Sequence, residues 1–465
     1  MNTNPDFLIL GGGPAGLSCA HYARLEGLSS VVLEASSSPG GNCRTLELNG
    51  CHYDTGAHRI HDRDAEITAD IRALVGEDLL EVSAPSQIFW SGPNLHFPPR
   101  ASELARVLSP LELLQAGFEL ARALPAKLRP PRDFAEFACQ RYGRTIAAKL
   151  LLPYSQKLWG APTQELSPRI AGERLRGIDV WALLRAQFLG ERADTSKHLD
   201  GHFLYPPRGI GQIFDAMAQK LPPGCLQLEQ AVTQIELNGN PDEPRIAAIL
   251  TDDGTRVEVS PHTQVVSTLP LSVLVRALGK QVSPRLHSLV SDLRFRHVRL
   301  CALQVDRPQI TPNASLYFPD PEDPFVRLYE PKNRSAALAP PQQTCVGLEV
   351  PCSEGDDIFS TSEDALASTI IGRLEAHGLV HSPEILDLRV TLLRHAYPVL
   401  TAGFETLVQR AESALGQLHG LHLIGRNSRY RYQHIHDVLR SARDFVTKSS
   451  TIPVSSNPQR IEGSA

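Results

Sequence analysis

The sequence predicts an α/β fold organised around a parallel, nucleotide-binding sheet, and three observations in its first 45 residues carry that prediction. Phe7 to Leu10 is an apolar run of strand-forming residues. It feeds Gly11-Gly12-Gly13-Pro14-Ala15-Gly16 and a helix-length segment, Pro14 to Leu25, that Gly27 is placed to end. A second apolar run, Val31-Val32-Leu33, then stops at the acid Glu34. Strand, glycine turn, helix, strand and acid in this order are the Rossmann-type dinucleotide-binding arrangement. Gly11 permits the turn, Gly13 lets backbone approach a pyrophosphate, and Gly16 lets helix and strand close up. Pro14 and Ala15 lie in the first helical turn, whose free amides and positive dipole end would face the phosphates. Glu34, at the tip of the second strand, is placed to bond an adenosine ribose.

The chain is long enough, at 465 residues, for two or three structural domains. A net charge of −5, with basic and acidic residues interspersed, gives no electrostatic footprint for nucleic acid, so the expected partner is a small molecule. Eight cysteines are scattered without a CxxC pair, and no signal peptide precedes the first strand, which reads as a reducing, cytoplasmic setting. No uninterrupted apolar run reaches the roughly 18 to 20 residues of a membrane-spanning helix. From Leu104 to Leu124 leucines and a valine recur at helical spacing beside Arg106, Arg122 and Lys127. Such a helix packs on its own domain or makes weak peripheral contact with a membrane, the first being the expectation.

Organisation follows from punctuation and period. Residues 1–95, 203–290 and 396–450 are expected to assemble one discontinuous domain. Its later parts include Val232–Leu237, Ile246–Thr251 and Arg256–Val259 as strands, then Gln264–Thr268, Leu421–Gly425 and a helix from about Ile435 to Thr447. Residues 96–202, a helical pattern running to about Gly190 and interrupted by Pro125, Pro130-Pro131 and Pro153, form an inserted helical lobe. Residues 291–395 alternate strands such as Val298–Val305 with one helix, Glu363 to His377, and form a strand-rich lobe. Residues 451–465 read as a disordered tail.

With Glu34 followed by Pro39-Gly40-Gly41-Asn42-Cys43-Arg44-Thr45, the chain resembles FAD-dependent enzymes of the amine oxidase, protoporphyrinogen oxidase and UDP-galactopyranose mutase superfamily. The resemblance implies a Rossmann-type FAD-binding domain and FAD as cofactor. It adds Gly41 and Asn42 to the cofactor contacts, Asn42 standing where the superfamily more often has arginine. Asp54-Thr55-Gly56-Ala57-His58-Arg59-Ile60-His61 is similar to a segment that lies on the flavin ring, which makes Gly56, Ala57, His58 and His61 flavin-side residues. His52, His58 and His61 match no tight metal-ligand spacing, and no metal is expected.

Further along, Tyr154-Ser155-Gln156-Lys157-Leu158-Trp159-Gly160 resembles a Tyr-x-x-Lys-x-Trp-Gly run that places Tyr154 and Trp159 in a substrate pocket. Tyr205-Pro206-Pro207-Arg208-Gly209 looks like the turn back into the FAD domain, with His202 where the mutases carry a clamping arginine. Val232 would pass the adenine through its backbone. Phe295-Arg296-His297-Val298 is similar to an aromatic-Arg strand whose arginine faces the substrate, so Arg296, with His58 and His61, is the expected catalytic set. Pro324 to Asn333, Glu349 and Ala396-Tyr397-Pro398 look like the protoporphyrinogen-oxidase-like branch. Gly425-Arg426-Asn427-Ser428-Arg429-Tyr430 resembles the signature at the flavin's phosphate end, adding Gly425 and Arg426 as cofactor residues and Tyr397 and Tyr430 as substrate contacts. After it, Ile435-His436-Asp437 replaces the usual Met-Asp. Two readings follow: a two-electron oxidoreductase of oxidase or desaturase type acting on a mid-sized substrate between the lobes, and, as the alternative, a mutase-like sugar-nucleotide isomerase. Oligomeric state is not encoded in any of these features.

Overall fold

The computed structural model describes residues 4–76, 79–89, 94–96, 99, 101–126, 129–171, 202–239 and 243–450. Lys127, the run from 172 to Gly190 and the 451–465 tail, all subjects of expectations above, lie outside the described residues.

Phe7–Leu10 is buried at every position, as a central parallel strand covered on both faces must be. The parallel sheet around it runs in the order Leu421–Leu423, Gln264–Ser267, Phe7–Leu10, Ser30–Leu33, Leu226–Gln227. Two of these five strands are more than 250 residues from Leu10 in sequence, and both lie on the same side of it. The helix forms over Pro14–Leu25, and it packs with Ile435–Ser450 through small residues, Ala20 and Ala23 against Ala442 and Val446.

Three strands do not join this sheet. Val232–Asn238, Arg245–Thr251 and Arg256–Glu258 pair antiparallel among themselves. Hairpin connections are too short to cross over into a parallel sheet, so the hairpins form a layer of their own, buried against the Leu271–Leu278 helix.

The second large sheet has seven strands, in the order Ile385–Pro398, Phe295–Val305, Thr344–Cys352, Arg327–Tyr329, Ser315–Tyr317, Ser86–Ile88, Leu95–His96. The last two come from the part of the chain read as nucleotide domain. Ser86–Ile88 runs parallel to Ser315–Tyr317, and Ile88 and Leu95 are buried beneath the helical lobe, which is why this stretch leaves the first sheet. Phe295–Val305 and Thr344–Cys352 are buried along their whole length. One face packs on the Glu363–Ala376 helix and the other on the hairpin that ends with Cys51–Asp54.

In the helical lobe the single run expected from Leu104 to Leu124 is two helices, Ala101–Val107 and Pro110–Ala126. Ser109 and Glu112 exchange bonds: the Ser109 amide donates to the Glu112 carboxylate (2.8 Å) and the Glu112 amide to Ser109 Oγ (3.3 Å). This capping box, with Pro110 at the first helical position, starts a new helix rather than continuing the old one. Pro125 sits inside the last turn and does not stop the helix before Ala126. Pro153 opens Leu152–Trp159 directly after a π-helical turn over Ala147–Leu151, the wider turn accommodating the missing amide.

Lys157 joins this lobe to the large sheet. Its ammonium donates to the carbonyls of Asp320 (2.7 Å), Phe325 (3.0 Å) and Asp323 (3.1 Å). Burial pulls its pKa down to about 8, against the opposing pull of Asp323, so it remains charged at neutral pH. Lys157→Met leaves three carbonyls without their charged donor and is expected to cost about 3 kcal/mol in urea unfolding. Flavin absorbance should be unchanged.

Candidate active site

Three glycine loops meet at the start of the Pro14–Leu25 helix. Gly13 caps it without a side chain, which leaves first-turn amides for an anion. A Cβ added at Gly16 would lie 1.9 Å from the Gly11 carbonyl oxygen, one at Gly41 3.1 Å from Gly13 Cα, and one at Gly425 2.7 Å from Ala15 Cβ. The loops therefore leave a backbone-walled cradle that side chains would fill. Glu34 is fixed at its rim, accepting from the Gly12 amide (2.6 Å), the Ser36 amide (2.9 Å) and Ser36 Oγ (2.6 Å). The Gln230 amide bonds the Glu34 carbonyl (2.8 Å), which brings the approach to Val232 alongside that acid. Arg426 donates to the Ala396 carbonyl, while its Nε is buried without a partner. Amides, an acid at the strand tip and a cation with an unused donor fit FAD, whose pyrophosphate needs donors and whose ribose needs an acceptor.

The 54–61 segment, expected to lie on the flavin ring, is held from below by a buried carboxylate. Asp54 accepts from Tyr205 Oη (2.6 Å), Thr45 Oγ1 (2.8 Å) and the Ile210 amide (3.0 Å), and its carbonyl accepts from Tyr329 Oη. Arg334, fully buried, lies 3.9 Å from Asp54, stacks on the Tyr205 and Tyr329 rings and donates to the His58 carbonyl (3.0 Å). The turn that re-enters the first domain is thereby locked to residues 54–58. Asp54→Asn removes the counter-charge of a buried guanidinium and is expected to cost about 3–5 kcal/mol in chemical denaturation.

Above this segment, Arg327 and Glu349 stand opposite each other on neighbouring strands. The Arg327 guanidinium donates to both Glu349 oxygens (2.5 and 2.7 Å), and Glu349 also accepts from the Ala57 amide (3.2 Å). Burial works against the Arg327 charge, but Glu349 outweighs it and holds Arg327 well above its ordinary pKa. Arg327 Nε is buried without a partner. Aromatic rings surround the pair. Tyr154 meets Tyr317 edge-on at 6.0 Å, Trp159 meets Tyr397 at 6.1 Å, and Arg426 lies 5.1 Å from the Tyr397 ring centre and 5.3 Å from that of Tyr432. Burial pushes the Tyr154 and Tyr397 hydroxyls well above their ordinary range, so both stay protonated and can donate. Tyr154, Trp159, Tyr397, Gly56, Ala57 and Arg426 are thus brought together around the pair. Arg327 and Glu349, absent from the expected catalytic set, are at the centre.

Other expected residues lie elsewhere. Arg296 is buried with its guanidinium spent on protein. It donates to Ser353 Oγ (2.5 Å), to Asp356 (3.3 Å) and to the carbonyls of Lys157, Leu158 and Pro351 (3.3 Å each). It closes the C-terminal end of the Leu152–Trp159 helix, where unpaired carbonyls attract a cation, and so positions Trp159. Tyr430 is fully buried in the core, its hydroxyl shared between the carbonyls of Arg294 (2.5 Å) and Val399 (2.8 Å), and is not a pocket residue. His58 Nε2 donates to the Asn42 carbonyl (2.8 Å), and burial lowers its pKa, so the neutral ring ties the Asn42 loop to the flavin-side segment. The Asn42 amide donates to the Arg394 carbonyl (3.2 Å). His61 is buried edge-on to His434 at 5.7 Å, beside the start of the Ile435–Ser450 helix. Asp437 accepts from the His434 amide (2.8 Å) there and serves as a helix cap.

The sequence profile described as "Flavin containing amine oxidoreductase" matches residues 14–445. The chain is 24% identical over 214 residues to a chloroplastic protoporphyrinogen oxidase of Nicotiana tabacum, covering 44% of this chain and 39% of that one. It is 24% identical over 176 residues to the UDP-galactopyranose mutase of Mycoplasma pneumoniae, covering 36% of this chain and 43% of the mutase. These matches span less than half the length of the curated relatives. The fold is similar to that of a reduced UDP-galactopyranose mutase, with a TM-score of 0.82 at 22% identity over 96% of this chain and 94% of the other. With the family profile spanning both lobes and the cradle fitted to a flavin dinucleotide, this chain belongs to the family of flavin-containing amine oxidoreductases, with FAD as its cofactor.

Proposed function

We propose that the protein is an FAD-dependent oxidoreductase of oxidase or desaturase type, taking a mid-sized organic substrate between the helical lobe and the seven-stranded sheet. The observation that carries this reading is the Arg327–Glu349 pair, bonded to the Ala57 amide and enclosed by Tyr154, Trp159, Tyr317 and Tyr397. Bound FAD supplies a two-electron acceptor. The chain's own groups bind and orient. Aromatic rings hold the body of the substrate, and protonated tyrosine hydroxyls donate to its polar atoms. Arg327 and Glu349 together are neutral, so the pocket selects by hydrogen bonding rather than by a large opposite charge. Glu349, anchored on the Ala57 amide, keeps the guanidinium fixed relative to the flavin-side segment.

Anaerobic mixing of the purified yellow protein with a panel of amines and with protoporphyrinogen tests this directly. Bleaching of the flavin band by one class identifies the substrate; a band unchanged by any of them counts against the oxidoreductase reading. The sugar-nucleotide isomerase remains the second reading, favoured by Tyr154 and Trp159, which meet Tyr317 and Tyr397 edge-on beside the Arg327–Glu349 pair. Against it stand His202, where the mutases carry a clamping arginine, and Ile435-His436-Asp437 in place of the usual Met-Asp. A saturable change in flavin absorbance on adding UDP would reverse the order of the two readings.

A further inference from the structure

The Pro110–Ala126 helix turns a row of large apolar side chains to solvent. Leu111, Leu114 and Phe118 are 66%, 73% and 62% exposed, and their spacing of three and four residues puts them on one face. Arg122 continues the row, its guanidinium 5.4 Å from the Phe118 ring centre. The opposite face is fixed to the lobe through buried Ala116 and half-buried Leu113.

Charge is segregated in the same sense. Between residues 101 and 136 the exposed charged side chains among the described residues are Arg106, Arg122, Arg129 and Arg132. The acids of that stretch are turned to protein partners. Glu103 accepts from the His96 amide (3.1 Å), Glu112 pairs with Lys149 (2.8 Å), Glu119 accepts from the Thr145 amide (2.8 Å) and Asp133 from the Glu136 amide (2.8 Å). Glu136 pairs with Arg132 (3.1 Å) and is also influenced by Arg129, so that Arg106 and Arg122 stand outside the ion pairs seen among the described residues.

We propose that this helix docks the protein on an anionic lipid surface. Among the described side chains this apolar row is about 10 Å long and one side chain wide, too narrow for a stable protein interface, which needs roughly 800 Å² per partner. A helix lying in a membrane interface needs only such a row, bordered by cations that meet lipid phosphates.

The test uses the full flavin-loaded chain and sedimentation with vesicles, either of phosphatidylcholine alone or of an equimolar mixture with phosphatidylglycerol. Binding is expected to the mixed vesicles, weakened by high salt, and reduced about tenfold or more in Leu114→Ser/Phe118→Ser with flavin content unchanged. Arg122→Glu, at an exposed position, should weaken binding to the mixed vesicles while leaving the flavin spectrum intact. Failure of the wild type to sediment with mixed vesicles overturns the proposal, as does equal binding by wild type and both variants. Size-exclusion chromatography covers the remaining occupant: a dimer that Leu114→Ser/Phe118→Ser splits, with no vesicle binding by the wild type, would assign the row to a second copy and overturn the lipid assignment.

Discussion

Gly16→Ala is expected to produce a colourless protein. The added methyl would sit 1.9 Å from the Gly11 carbonyl oxygen, a backbone atom that cannot swing aside, so the turn and the helix must separate. Overpacking of this kind costs about 3 kcal/mol, and the displaced turn also misaligns the amides that would hold the pyrophosphate. The ratio of flavin to protein absorbance after desalting, read beside a thermal melt, measures both effects. Gly27→Ala is the control. Gly27 has a left-handed backbone, with φ of +70°, but nothing lies within 4 Å of its added Cβ. Its cost is about 1 kcal/mol of backbone strain, with flavin retained.

The second large effect is expected at Arg327. Arg327→Met leaves the Glu349 carboxylate, which is 2% exposed, without its counter-charge and should destabilise the chain by about 3–5 kcal/mol. Glu349→Leu should do the same from the other side. The double variant Arg327→Met/Glu349→Leu replaces the pair by apolar groups of similar volume and should recover most of that loss, because a buried ion pair contributes little net stability over a packed apolar pair. Urea unfolding of the three variants gives the coupling energy directly. A pair kept only for stability would leave the double variant functional. A pair kept for substrate handling leaves it stable, yellow and inactive.

The two ends of the account were unequally legible in the sequence. The cradle could be read because its requirements are local. A turn needs Gly11, an approach needs Gly13 and a packing contact needs Gly16, all within one strand-helix connection, and the helix forms over Pro14–Leu25. Tyr154, Trp159 and Tyr397 could be placed only through resemblance, since an aromatic residue on a helix looks the same in a core as in a pocket. Glu349 and the 324–333 run were singled out by resemblance, but the pairing of Arg327 with Glu349 escaped because it depends on the register of two strands joined by a long connection. A signal was present. Phe325-Val326-Arg327-Leu328-Tyr329 sets one arginine in an apolar strand, and a charge there must find a partner.

Arg296 shows the converse. It too lies in an apolar strand, but its partners include carbonyls at the end of a helix more than 130 residues earlier, and although Gly160 marks that helix end, nothing near Arg296 shows that the two meet. Tyr430 has a left-handed backbone, with φ of +48°, which aims its ring into the core among Phe295 and Phe404, a conformation that residue type alone does not reveal. Separation of the 232–258 strands from the parallel sheet likewise depends on connection length and partner choice rather than on strand propensity.

The most direct measurement is anaerobic flavin bleaching in Arg327→Met/Glu349→Leu, using the substrate that bleaches the wild type. Flavin content equal to wild type with bleaching slowed by about two orders of magnitude or more, a barrier change of roughly 3 kcal/mol, is the predicted result. Bleaching within about twofold of wild type at equal flavin content would place the chemistry elsewhere and reduce the pair to a structural contact.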